Sequence, residues 1–167
     1  GDNNKAGGAQ FGTYNTFDNL FPTNHFHYGY MDMMAWRNMV NYQVMFDVKP
    51  SPVSKLQFNY IIHRLANTAD NWYRAGQVAY ATSRMTNQEA SLGQELDVHY
   101  WHTFKEKFKF EIGFGHFFTG AYIDKTANAS TNITQGAAAD QATAIVGGTQ
   151  STTVDQNWAY MMGSIQF

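Results

Sequence analysis

The sequence predicts an all-β fold: a transmembrane, antiparallel, up-and-down β-barrel with long extracellular loops, of which this chain supplies the C-terminal strands. Three observations carry that expectation: a composition rich in aromatics but poor in charge, long runs of period-two alternation, and connections that are alternately short and long. Of the 167 residues, 44% are hydrophobic and 16% aromatic, yet only 14% are charged. A soluble domain usually carries about 25% charged residues. No run of about 20 mostly apolar residues exists to form a membrane helix. An oily outside and a polar inside reconcile these facts.

The formal net charge of −2 gives no polyanion-binding signature, and nucleic acid is not an expected partner. Cysteine is absent, so disulfides, thiolate catalysis and thiolate metal sites are excluded. Residues 1–10, GDNNKAGGAQ, are polar and glycine-rich and have no apolar stretch typical of a secretory leader. The expectation is that a leader has been removed or that the natural start lies upstream.

Residues 1–39 read as a loop-rich segment with room for one short strand, within residues 25–36. Residues 40–167 read as barrel strands with long loops at about 66–91 and 124–153. From Val40, VNYQVMFDVK sends Val40, Tyr42, Val44, Phe46 and Val48 one way and Asn41, Gln43, Met45, Asp47 and Lys49 the other. The breaker Pro50-Ser51-Pro52 ends that run, because proline cannot donate to a ladder. In KLQFNYIIHR, Leu56, Phe58, Tyr60 and Ile62 oppose Gln57, Asn59, Ile61 and His63. Alternation resumes at Gln94, where Leu96, Val98, Tyr100 and His102 oppose Glu95, Asp97, His99 and Trp101. A basic turn, Lys105-Glu106-Lys107, leads into Phe108, Phe110, Ile112 and Phe114, which oppose Lys109, Glu111, Gly113 and Gly115. The final run, NWAYMMGSIQF, stops on Phe167.

The connections are short at Pro50, long after Arg64, short at Lys105 and long after Tyr122. Short periplasmic turns and long outer loops give outer-membrane barrels this rhythm, and the last strand then ends at the periplasmic rim. Five strands, or six, cannot close alone, since single-chain membrane barrels start at about eight. An open sheet in lipid would leave edges of unsatisfied N–H and C=O groups. The expected partners are therefore the remaining strands of the same barrel or other envelope subunits.

The stretch FDNLFPTNHFHYGYMDMMAWRN, residues 17–38, resembles a signature of the alginate-export-type outer-membrane barrels. LGQELDVHYWHTF, FEIGFGHFFTGAYI and the aromatic last strand resemble the same family, so the likeness covers most of the chain outside residues 124–153. The resemblance implies a large monomeric porin in the bacterial outer membrane, with these residues matching its C-terminal third. The best-known members pass an anionic polysaccharide through an arginine-lined pore; those arginines find no residue-by-residue match here.

Candidate lumenal or solute-contacting residues are Arg37, Arg74, Arg84, His63, Glu95, Asp97 and Glu111. Inward-turned arginines would favour anions, whereas solvated or snorkelling arginines would not; Arg64 has the lipid-facing parity and suits snorkelling. Glu95 and Asp97 are the residue type of acid–base hydrolysis, but i,i+2 neighbours on one strand with no nucleophile read better as lumenal charges balanced by nearby lysine or arginine. His25 and His27 share a face if extended, which is thin evidence for a metal; no cofactor or metal is expected. Gly113 and Gly115 leave room for a bulky neighbour or an inward-folded loop. Phe167 suits a recognition signal for the outer-membrane assembly machinery.

The function expected is passive passage of a polar or anionic solute, a polysaccharide or oligosaccharide among the candidates. Lipid and lipopolysaccharide would surround it. The alternatives are a non-conducting structural barrel serving an envelope complex, a soluble β-sandwich, and a barrel enzyme, for which no clear Ser–His pair is visible. Face assignment is directly testable. Phe110→Arg should block assembly, since a mid-membrane arginine on the lipid face costs about 2–4 kcal/mol; heat-modifiable gel migration would show it. Alternation alone would let Glu111→Arg pass.

Overall fold

A computed structural model describes residues 17, 19–20, 25–68, 70, 72–73, 79–81, 89–124 and 155–165, with backbone alone at 79–81. The chain forms β1 (Met39–Ser51), β2 (Ser54–Leu65), β3 (Trp72–Tyr73), β4 (Ala79–Ala81), β5 (Ser91–Phe104), β6 (Phe108–Thr119) and β7 (Gln156–Ile165). Strands β1, β2, β5, β6 and β7 make one five-stranded sheet in that order, and each neighbouring pair is antiparallel. Strands β3 and β4 form a separate small hairpin.

The alternation read from sequence is the pleat of this sheet. Register puts Phe46 opposite Phe58, Phe58 opposite Val98 and Val98 opposite Phe114, so one apolar row crosses four strands. Ala159 continues it on β7. The opposite face carries Gln57, Asn59, His63, Glu95, Asp97, His99 and Glu111, all buried. The usual order is therefore inverted: many large apolar side chains are exposed and many polar ones are enclosed. The five long strands run 10 to 14 residues, enough for a tilted crossing of a bilayer.

The short turns have separate causes. Just before the turn at residues 52–53 the ladder shifts register between Val48 and Ser51, and the Thr103 N–H donates to the Val53 carbonyl at 2.9 Å, tying the turn to β5. At the other turn, residues 105–107 join Phe104 to its partner Phe108, and Lys105 and Glu106 both have positive φ (48° and 61°), the sign of a type I′ turn that matches strand twist. The Lys107 N–H closes it on the Phe104 carbonyl at 3.1 Å.

Three elements differ from the sequence reading. Residues 25–38 contain no strand; they cross the polar face of the sheet as irregular chain. The expected loop at 66–91 holds the β3–β4 hairpin. Residues 121–124, where the expected 124–153 loop begins, form one helical turn whose Ile123 and Asp124 N–H groups bond back to the Gly120 carbonyl. Arg74, Arg84, Phe167 and most of the 124–153 loop lie outside the described residues.

Both outermost strands, β1 and β7, pair on one side only among the described residues. The apolar core sits on the inner face at the long-loop end. There Met31, Met33 and Met34 pack with Leu65, Trp72, Leu92, Phe117, Tyr122 and Ile123. Thioether side chains, unbranched and polarizable, suit this irregular gap. The Trp72 indole N–H donates to the Met33 carbonyl at 3.0 Å and lies 3.1 Å from the Met34 sulfur.

Asn38 fixes the entry to β1. It adopts φ 53°, its amide donates to the Asn67 carbonyl at 2.9 Å, and its side-chain oxygen accepts from the Asn67 N–H at 2.8 Å. Asn38→Ala should lower stability by about 1–3 kcal/mol through two lost bonds and a strained backbone. The denaturant midpoint of the refolded protein would report it.

Candidate functional site on the inner face

Period two aims the odd-numbered side chains of β1, β2, β5 and β6, and the even-numbered ones of β7, at one surface. Because β5 is central, its Glu95 and Asp97 stand in the middle of that surface, flanked by Asn59 and Ile61 on β2 and by Gly115 and Phe117 on β6. Both carboxylates are completely buried. Residues 29–35 bury them.

The cover is held through its backbone. The Met31 N–H donates to Glu95 Oε1 at 2.9 Å, and the Tyr30 N–H reaches Asp97 Oδ2 at 3.4 Å. His63 Nε2 lies 3.5 Å from the other Glu95 oxygen, and Asn59 donates to Asp97 at 3.3 Å. Gln43 extends the chain of amides, donating to Asn59 Oδ1 at 2.8 Å. The Tyr30 ring lies 3.6 Å, centroid to centroid, from the His99 ring. Burial, then the nearby carboxylates of Glu111, Asp97 and Asp47, pushes the Tyr30 phenol up to about 12, so it stays neutral.

Glycines make the close approach possible. Gly29 has φ 107°, and a Cβ there would overlap the Glu95 carboxylate. A Cβ on Gly115 would press on Met31 at 2.9 Å, and one on Gly113 would collide with Tyr160 and His99. The room expected from the two β6 glycines is therefore filled by an inward-folded segment and by bulky rings.

A second polar group spans β5, β6 and β7. The Tyr160 hydroxyl donates to Glu111 and lies 3.0 Å from His99 Nδ1. With the Tyr160 proton on Glu111, a bond between His99 and Tyr160 would require the imidazole proton on Nδ1. Toward the short-turn end the inner face becomes basic. Lys55 pairs with Asp47 at 2.9 Å, Lys109 lies 3.9 Å from Glu111, and the two ammonium groups lie 5.0 and 5.9 Å from the Trp101 ring centre.

Of the residues singled out from sequence, His63, Glu95, Asp97 and Glu111 come together on this face. They are enclosed rather than lining open water. Glu95 and Asp97 are answered by backbone N–H groups, not by the expected lysine or arginine. Glu111 does find Lys109 and also accepts from Tyr160, so Glu111→Arg is expected to cost assembly more than alternation alone suggested. Arg37 precedes β1 and places its guanidinium 5.1 Å from the Tyr73 ring centre. His25 pairs with Asp32 at 3.0 Å, and among the described residues no three His, Asp or Glu side chains gather as metal ligands. Arg64 is exposed on the outer face, as its parity requires.

One pair escaped the sequence reading. Ser54 Oγ lies 2.8 Å from His102 Nδ1, with Tyr100 Oη 3.3 Å from the same nitrogen. The register signal was there, since Ser54 faces His102 directly. The trio sits on the outer face beside Phe104, whose ring centre is 4.2 Å from that of His102. Its third member is a phenol where a catalytic triad has a carboxylate, and polar tips among aromatics suit a membrane-interface belt.

Fold and site together define an up-and-down antiparallel sheet, apolar on one face and polar on the other, with a segment of its own chain laid against the polar face. The chain belongs to the alginate export family, whose profile it matches over residues 1–136. No curated protein and no solved structure matches it.

The cover depends on two carboxylates. Replacing both, as Glu95→Ala with Asp97→Ala, should free residues 29–35 while the outer face keeps the sheet assembled. Limited proteolysis with mass spectrometry should then find new cleavage within residues 25–38.

Proposed function

We propose that this chain forms part of the wall of an outer-membrane channel through which a polar glycan or similar solute passes without chemical change. The single observation that carries the reading is the inversion of the sheet. Apolar side chains such as Tyr42, Val44, Phe46, Ile112 and Met161 are exposed on one face, while carboxylates, amides and imidazoles are enclosed on the other. A soluble sandwich would put its apolar rows inside. The family description, alginate export, supports a polysaccharide as the cargo class.

Closure requires further strands beside β1 and β7, from the same polypeptide or from other copies. Selection would follow pore width, lumenal charge and the room left by residues 25–38. The basic inner rim at Lys49, Lys55 and Lys109 suits entry of an anionic chain at the short-turn end, which would face the periplasm if the loop rhythm follows that of outer-membrane barrels. A permanently closed structural barrel is the competing reading, and the inward segment is what favours it.

Single-channel recording on the intact barrel in planar bilayers separates the two. The channel reading expects discrete conductance in the native protein and a larger conductance in the Glu95→Ala, Asp97→Ala variant. Absence of current in both proteins would leave the structural reading.

A further inference from the structure

The segment over the carboxylates has a second side. Met31, Met33, Met34 and Ala35 are buried against the sheet and its core, yet the same stretch exposes large rings. Trp36 is 52% exposed, Phe26 43% and Phe17 58%. These rings form a series. Phe17 meets Trp36 edge-on at 5.6 Å, and Trp36 meets Tyr28 at 5.6 Å. Tyr28 meets His27 at 6.2 Å, and His27 meets Phe26 at 5.5 Å. Phe26 then abuts the buried Tyr30 at 5.9 Å, which anchors the series to the inner wall.

We propose that this ring series is a sugar-stacking track, a binding site for the pyranose faces of an oligosaccharide moving past the inner wall. The inference rests on the channel reading and names the contact surface for its cargo. The rings are not surplus core, because the core-forming side of the segment is already complete. A pyranose presents a face of C–H bonds that packs on an aromatic face, while its hydroxyls remain in water; the exposed Phe17, Phe26 and Trp36 and the half-buried Tyr28, which would border the lumen of the proposed channel, match that chemistry. Successive ring centres 5.5–6.2 Å apart approximate the advance of one sugar residue along an extended glycan. The neighbouring charges have other duties: Arg37 sits on Tyr73, and Asp32 pairs with His25. Recognition here therefore works by stacking and not by ion pairing, so neutral and acidic glycans share the track.

The test uses the intact barrel in detergent, its folding verified by heat-modifiable gel migration. Calorimetric titration is made with a short neutral glucan and with an oligouronate of equal length. Both should bind, and Tyr28→Ala with Trp36→Ala should weaken both by about tenfold. Trp36→Phe, which keeps a ring, should retain most of the affinity. Raising salt from about 0.1 M to about 1 M should leave the neutral sugar's affinity unchanged. Unaltered affinity in the folded double variant, or binding confined to the uronate and abolished by salt, would overturn the track. Conductance is recorded separately: sugar binding through these rings in a barrel that passes no current would refute the channel and spare the site. A conducting barrel that ignores both sugars would do the reverse.

Discussion

Two carboxylates side by side on the central strand set the terms for the inner face. Removed from water without partners, charged or polar groups of this kind cost several kcal/mol. Glu95 and Asp97 find donors in the backbone of residues 30 and 31, a stretch with no strand neighbour of its own. The dependence is mutual, because those N–H groups would otherwise be buried without acceptors. The two backbone N–H groups each meet one carboxylate oxygen across this junction. The methionine cluster, the small hairpin and the glycines of β6 all serve this junction.

Much of the architecture was legible in the sequence. Period two located all five long strands, and the register confirmed which residues share a face, from Val40–Val48 on β1 to Phe108–Phe114 on β6. Proline at 50 and 52 and the charged turn at 105–107 marked the short connections. The irregular pieces were not legible. Residues 25–38 have neither a helical nor a strand period, because their geometry is dictated by what they lie against. The helical turn at 121–124 follows a run of aromatics that reads as strand until Gly120 interrupts it. The Ser54–His102 pair needed cross-strand register, which no single-strand pattern contains.

The candidate site was half visible. Parity correctly put His63, Glu95, Asp97 and Glu111 on one surface, but it carries no information on what covers that surface. Most of their partners come from other parts of the chain: Met31 and Glu95 are 64 residues apart, Tyr160 and Glu111 49. The exposed rings of residues 17–36 were visible as composition but not as a series, since their order in space (Phe17, Trp36, Tyr28) is not their order in sequence.

The bare positions at Gly113 and Gly115 have a consequence for calibre. Two layers of protein normally stand about 10 Å apart because side chains from both fill the gap. Over β6 one of those contributions is missing, so Met31 and its neighbours settle into space that side chains of the wall would have used. In the proposed channel, a segment seated in this recess would subtract less from the bore than the same segment resting on a fully furnished strand. Cargo clearance would then follow which wall positions lack a β-carbon as much as strand number.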